Sequence, residues 1–282
     1  MAPTSEPGPL RDDHQLRAIK TFNYLRVAIV ALVVGLFSAV GYEWVVAPDH
    51  CFQESISAYY YTPVRGYFVA ALLGIGVCLF CLKGSTDIED GLLNLAGMFA
   101  PVVALVPTPS RGECASVLGS KADLSEQVAN NVFALILVGS IGLIVIAVQT
   151  VRRFAHIPLH ARMGYAAAAA VWIAIGLVFA LDLESFVGNA HYAAAVPMFV
   201  CIVAVVFVNA FAYEKKTEAA SARNRYAAVG LTMILTSALI GLCAILGWNH
   251  AVIAIEVDLI LLFAVFWVVQ TKELWREGLR ST

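Results

Sequence analysis

Charge is scarce in this sequence: 13% of its 282 residues are Asp, Glu, Lys or Arg, and 60% are hydrophobic. A soluble domain carries roughly 25% charged residues. Soluble packing cannot hide that much apolar surface, so a bilayer is expected to take it up. Net charge is −2, and the missing basic excess argues against nucleic acid as a partner. A cleavable leader is not expected either. The polar and mixed segment before Tyr24 is too long for a leader, and no small-residue cleavage site follows the first apolar run. Every apolar run is therefore expected in the mature chain. Low complexity is confined to residues 1–10, MAPTSEPGPL, expected to be a disordered tail. Residues 11–282 are then one transmembrane domain. There is no internal repeat, no H-x-x-x-H or H-E-x-x-H spacing, and no cofactor is expected.

Long apolar runs are what the sequence has. Eight of them approach or reach the ~20 residues that cross a bilayer: 24–46, 63–82, 91–106, 129–150, 163–183, 190–211, 226–248 and 251–270. The expected fold is all-α, a polytopic bundle of eight spans, with the third the shortest. Thr62-Pro63 reads as an N-cap followed by proline at the first helical position. Thr86-Asp87-Ile88-Glu89 reads as a capping box, which with the helix dipole accounts for Asp87, Glu89 and Asp90. Asn249 is placed to cap the eighth span. Pro101 and Pro197 lie inside spans three and six and predict kinks or an opened backbone.

Lys and Arg set the orientation. With the N-terminus in the cytoplasm, the inner segments hold most of them, and the outer segments hold only Arg65, Arg111 and Lys121. Both termini are then cytoplasmic, and the expected location is the plasma (inner) membrane. The mixed segments before Tyr24 and after Gln270 are expected to lie along the inner interface. Cys51 and Cys114 fall in outer loops, where a disulfide between them fits an oxidising space. Cys78, Cys81, Cys201 and Cys243 sit in apolar helices and read as packing residues.

Acidic residues gather at the expected outer side, and the inner half of the bundle shows no comparable set. Glu256 lies roughly 10 Å below the outer boundary, where an ionisable group is costly and marks a functional site by default. Asp258 is about 200° around the helix from it, so one acid faces a pocket and the other meets a neighbouring helix or is protonated. Asp182 and Glu43 end their helices, where the dipole disfavours an anion, and Arg65 begins one, where it disfavours a cation. Arg65 is therefore expected to pair with Glu54, Asp182 or Glu256. Tyr59, Tyr60 and Tyr61 read as interfacial anchors or as pocket lining. Ser55 and Ser57 become nucleophiles only with a base in reach, such as His191 or His250. His191, His250 and the acids lack metal-ligand spacing, so no metal site is assigned.

The segment ESISAYYYTPVRGYFVAALLGIGVCLFCLKG, followed by EDGLLNLAGMFAPVVALVPT, resembles a widespread group of bacterial polytopic membrane proteins with no established activity. They share a serine- and tyrosine-rich segment before span two, an acidic inner loop, and a last helix with an intramembrane acid and a Phe-Trp pair, here Glu256 and Phe266-Trp267. A more distant likeness is to the alkaline ceramidase and adiponectin-receptor-type superfamily, zinc-dependent lipid amidases and relatives. That likeness implies a seven-span fold, with Ser57 and Asp90 at its early serine and aspartate. Its late H-x-x-x-H is missing, and Glu256-Val257-Asp258 stands in the corresponding span.

The resulting expectation is a membrane protein with an outward-facing polar pocket that binds a lipid or cell-envelope intermediate. Glu54, Ser57, Tyr60, Arg65, Asp182, His191, Glu256 and Asp258 would line it. An intramembrane lipid hydrolase or transferase, a small ion- or proton-coupled transporter, and an accessory subunit remain alternatives. Partners are then a membrane lipid or other membrane proteins, the latter through the small-residue face at Ala166–Ala170.

Overall fold

The computed structural model describes the backbone of residues 9–47, 50–109, 114, 121–151, 159–217 and 224–279, and their side chains except at 9–15, 121–123, 150–151, 159–161 and 214–217. Residues 1–8 of the expected tail lie outside the described residues, as do Arg111, Arg152, Arg153, Arg223 and Arg280. Among the described residues there are eight α-helices and no strand. They are α1 (Pro9–Val46), α2 (Arg65–Cys81), α3 (Asp87–Leu105), α4 (Lys121–Val151), α5 (Leu159–Leu181), α6 (Leu183–Thr217), α7 (Arg225–Ile245) and α8 (Ala251–Leu274), with one 3₁₀ turn at Ser57–Tyr61. Seven of the eight are long and apolar enough to cross a membrane, making this a multi-pass membrane protein. The exception is α2, at 17 residues, and not the third run as expected. The Thr86 cap starts α3 at Asp87, well before the apolar residues begin, which lengthens it to 19 residues.

Two features define the ends of the bundle. At one end, Asn23 and Arg26 of α1 hold the chain just beyond α8. Asn23 Nδ2 donates to the Trp275 carbonyl at 2.8 Å and Arg26 Nη2 to the Gly278 carbonyl at 2.7 Å. Gly278 has φ +74° and lies against Ile19, so a side chain there would be both strained and crowded. This is the terminal end. At the other, Cys51 and Cys114 form the expected disulfide, with Cα atoms 5.6 Å apart. Several expected boundaries change. The segment before Tyr24 is not a separate element, because α1 runs unbroken through it for 38 residues, about 57 Å at the helical rise. Spans five and six are separated by Asp182 alone, so α6 begins before Asn189 and His191.

The core lies where α3 meets α2 and α6, with α1, α7 and α8 closing around them. Small residues set the spacing. A Cβ on Gly97 would lie 2.8 Å from the Gly76 carbonyl oxygen, so α2 and α3 meet backbone to backbone. Gly35 makes room for the Tyr67 side chain and Gly139 for that of Trp172. By contrast α4 and α5 turn most of their Leu, Ile and Val side chains outward, as lipid-facing helices do. On α1, exposed Tyr24 and Trp44 stand twenty positions apart, roughly 30 Å, the thickness of a hydrocarbon core.

Candidate functional site

The Cys51–Gly66 segment is a plug. Gln53 and the run from Ser55 to Thr62 are buried, and Tyr59, Tyr60 and Tyr61 are each 1% exposed. The interfacial-anchor reading of the tyrosines is thereby corrected: they pack inside the protein. Bulky aromatic sequence makes a poor surface loop, and covering it stabilises the end of a short α2. The non-helical backbone is tolerated near membrane depth because protein surrounds it. Thr62 does not cap α2. Its Oγ1 donates to the Tyr59 carbonyl at 2.9 Å and accepts from Val64 N, and the N-cap position falls to Val64. Asn249 does not cap α8 either, since His250 occupies that position without a side-chain bond.

Glu256 of α8 anchors the plug. Its Oε2 accepts from Ile56 N at 2.6 Å and its Oε1 from Ser57 Oγ at 2.9 Å. The acid thus caps a 3₁₀ turn that has no side-chain cap of its own. Asp258 faces elsewhere and accepts from Thr236 Oγ1 on α7 at 2.5 Å, so the two acids diverge as their spacing requires. Tyr61 OH donates to the Thr108 carbonyl at 2.6 Å. Thr108 Oγ1 and Tyr192 OH are 2.8 Å apart. These contacts tie the plug to the chain following α3.

Other sequence-predicted residues separate from this cluster. Arg65 bonds Tyr60 OH and Gln127 Oε1, each at 2.9 Å, and its guanidinium lies 4.4 Å from the Tyr60 ring centroid. Phenol, amide and ring satisfy it in place of the expected acids. His191, 1% exposed, is two turns into α6 and donates from Nδ1 to the Val106 carbonyl at 2.7 Å, closing the end of α3. Asp182 is the N-cap of α6 and not only the tail of span five: its Oδ1 accepts from Ser185 N at 2.9 Å. The dipole there favours an anion, and the bonds from the Ser185 N–H and hydroxyl hold its carboxyl below the usual carboxylate range. Glu54 is half-buried within the plug. Ser57 and Glu256 are therefore brought together, as are Tyr60 and Arg65, while Asp182, His191 and Asp258 are not. Ser57 and Tyr60 are buried within the disulfide end. Ser57 meets a carboxylate and is itself 6% exposed.

The terminal end holds what the sequence reading missed. The terminal half does carry a polar set. Glu89, 2% exposed, accepts from Ser85 N and Asn209 Nδ2, both at 2.7 Å, and from Gln270 Nε2 at 3.3 Å. Gln270 also donates to Asn209 Oδ1 at 2.9 Å. One carboxylate so joins α3, α6 and α8, a role beyond capping. Tyr226 OH donates to Glu273 close by. Beside this network a lateral cavity of about 780 Å³ opens between α1 and α8. Val27, Val30, Ala31, Val34 and Val268 form its apolar floor, and Thr271, Lys272, Trp275 and Arg276 stand at its terminal-end rim with Glu273 and Glu277. Its volume falls within the ~300–1,000 Å³ of small-molecule sites. The signal was present: Val27, Ala31 and Val34 recur at helical spacing, and the basic residues follow Gln270. Reading the latter as an interfacial segment hid their meeting with α1. Among the described residues no three His, Cys, Asp or Glu side chains converge as a metal site. Comparison with family models, curated proteins and solved structures finds no match for this chain.

Proposed function

We propose that this protein binds a membrane lipid from the side, with an acyl chain laid in the α1–α8 groove. The observation that carries the reading is the groove itself: apolar along its length, polar at one rim, and open beside helices that must face hydrocarbon. Binding is the proposed role because Ser57, the hydroxyl beside Glu256, is buried at 6% exposure. In this reading all eight helices cross the plasma membrane, α2 completed by the buried plug, with both termini in the cytoplasm. The basic residues near the terminal end support that orientation.

Lipid co-purifying with the full chain tests the binding. Ala31→Trp and Val34→Trp fill the floor of the groove from an exposed helix face, so both variants should lose the lipid while folding normally. Retention of the same lipid by both variants would overturn the reading.

A further inference from the structure

We infer that the α1–α8 groove selects an anionic phospholipid, held by its phosphate at Lys272 and Arg276 on the terminal-end side. The inference rests on the lateral lipid site proposed above and names the headgroup it takes. Four observations lead there.

The first is the supply of free cations. Lys272 and Arg276 are exposed on the groove rim, one helical turn apart. Among the described residues neither makes a hydrogen bond or ion pair. The second is that the two acids on the same rim are already engaged. Glu273 accepts from Tyr226 OH, and Glu277 also has a partner. The formal charges of the four residues cancel, and what the rim offers a phosphate is the N–H donors of Lys272 and Arg276, which no described protein group uses.

The third observation is the order of chemistry along α1. Lys20, Tyr24, Val27, Ala31 and Val34 fall on one helical face by their 4-3-4-3 spacing, and all five are exposed. Cation, aromatic and then aliphatic residues follow one another from the terminal end inward. That is the sequence of environments a phospholipid presents, from phosphate through the glycerol region to the acyl chain. Val27 to Val34 covers about 10 Å of that chain at the helical rise. The fourth is the aromatic level. Trp275 and Tyr24, 54% and 64% exposed, sit at the height where amphipathic rings mark the headgroup boundary. The cations thus stand where a phosphate would lie while the valines stand in hydrocarbon. A zwitterionic headgroup also offers a phosphate, but its own ammonium competes with Lys272 and Arg276. A net anionic headgroup leaves that attraction whole.

Delipidated full-length protein, titrated in detergent with phosphatidylglycerol or phosphatidylcholine and read by native mass spectrometry, tests this. Wild type should bind phosphatidylglycerol about tenfold more tightly than phosphatidylcholine, with the preference falling as salt rises. The Lys272→Ala/Arg276→Ala variant should bring the two lipids to near parity, and Lys272→Arg/Arg276→Lys should retain the preference. Lys83→Ala, which removes a cation on another helix connection at the same end, should change nothing. Equal affinity in wild type, or a preference surviving the double alanine variant, would overturn the headgroup assignment. If Ala31→Trp still blocks both lipids in that case, the lateral site stands without it. If Ala31→Trp blocks neither, the site and the headgroup assignment fall together.

Discussion

Glu256 of α8 holds the plug through both of its carboxyl oxygens. It accepts two hydrogen bonds, one from backbone and one from a hydroxyl, each contributing about 1 kcal/mol. Glu256→Ala removes both acceptors and leaves the Ile56 N–H and the Ser57 hydroxyl without them. It is expected to destabilise the protein by about 2–4 kcal/mol, measured as a fall in thermal midpoint in detergent. Ser57→Ala removes one donor only and should cost about 1 kcal/mol. Equal losses from the two variants would mean that the Ile56 contact contributes nothing. Arg65 teaches a related lesson at the same scale: a cation at an unfavourable helix end needs a partner, and a phenol and an amide serve as well as an acid.

Between elements, the closest approach is that of α2 and α3. Gly76 and Gly97 bring their backbones together, and the Gly97 Cβ position faces both the Gly76 carbonyl and Phe80 N. Gly97→Ala therefore pushes two backbones apart and should destabilise by about 1–3 kcal/mol. Gly142 on α4 has nothing within 4 Å of its Cβ position. Gly142→Ala should be neutral or stabilise by up to about 1 kcal/mol. Thermal unfolding of the two variants side by side checks the pair, and similar effects would mean that helix propensity, not contact, decides. The Glu89–Asn209–Gln270 network works at this scale as well. Three helices share one carboxylate whose acceptors are used by three N–H donors, so their relative rotation is fixed where each is otherwise apolar.

Across the whole molecule, the disulfide end is closed by covalent and aromatic packing, and the terminal end by hydrogen bonds and a groove. The Cys51–Cys114 bond spans a sequence separation of 63, for which loop-closure entropy gives about 4 kcal/mol. That figure is an upper bound for a chain whose helices stay in the membrane on unfolding. Reduction should lower the thermal midpoint, and Cys51→Ser should reproduce the shift. The same bond reports orientation. With cytoplasmic termini, a membrane-impermeant reductant applied to intact cells should break it, as followed by mobility on non-reducing gels. Cleavage only after permeabilisation would reverse the proposed topology.

The sequence by itself determined the all-helical, multi-pass architecture, because apolar run length and scarce charge leave a chain few alternatives in lipid. It also determined the Thr86 cap, the divergence of Glu256 and Asp258, and the pairing of the only two cysteines outside apolar runs. Those are local or periodic properties, read along one strand of text. Only the tertiary structure decided that the tyrosine-rich segment is a buried plug, that Asp182 begins a helix, and that Glu89 reaches Asn209 and Gln270. The same holds for the groove formed by residues near position 30 and position 270. Each of these depends on which helices become neighbours, and burial of a polar group is set by its partners across the bundle and not by its own spacing.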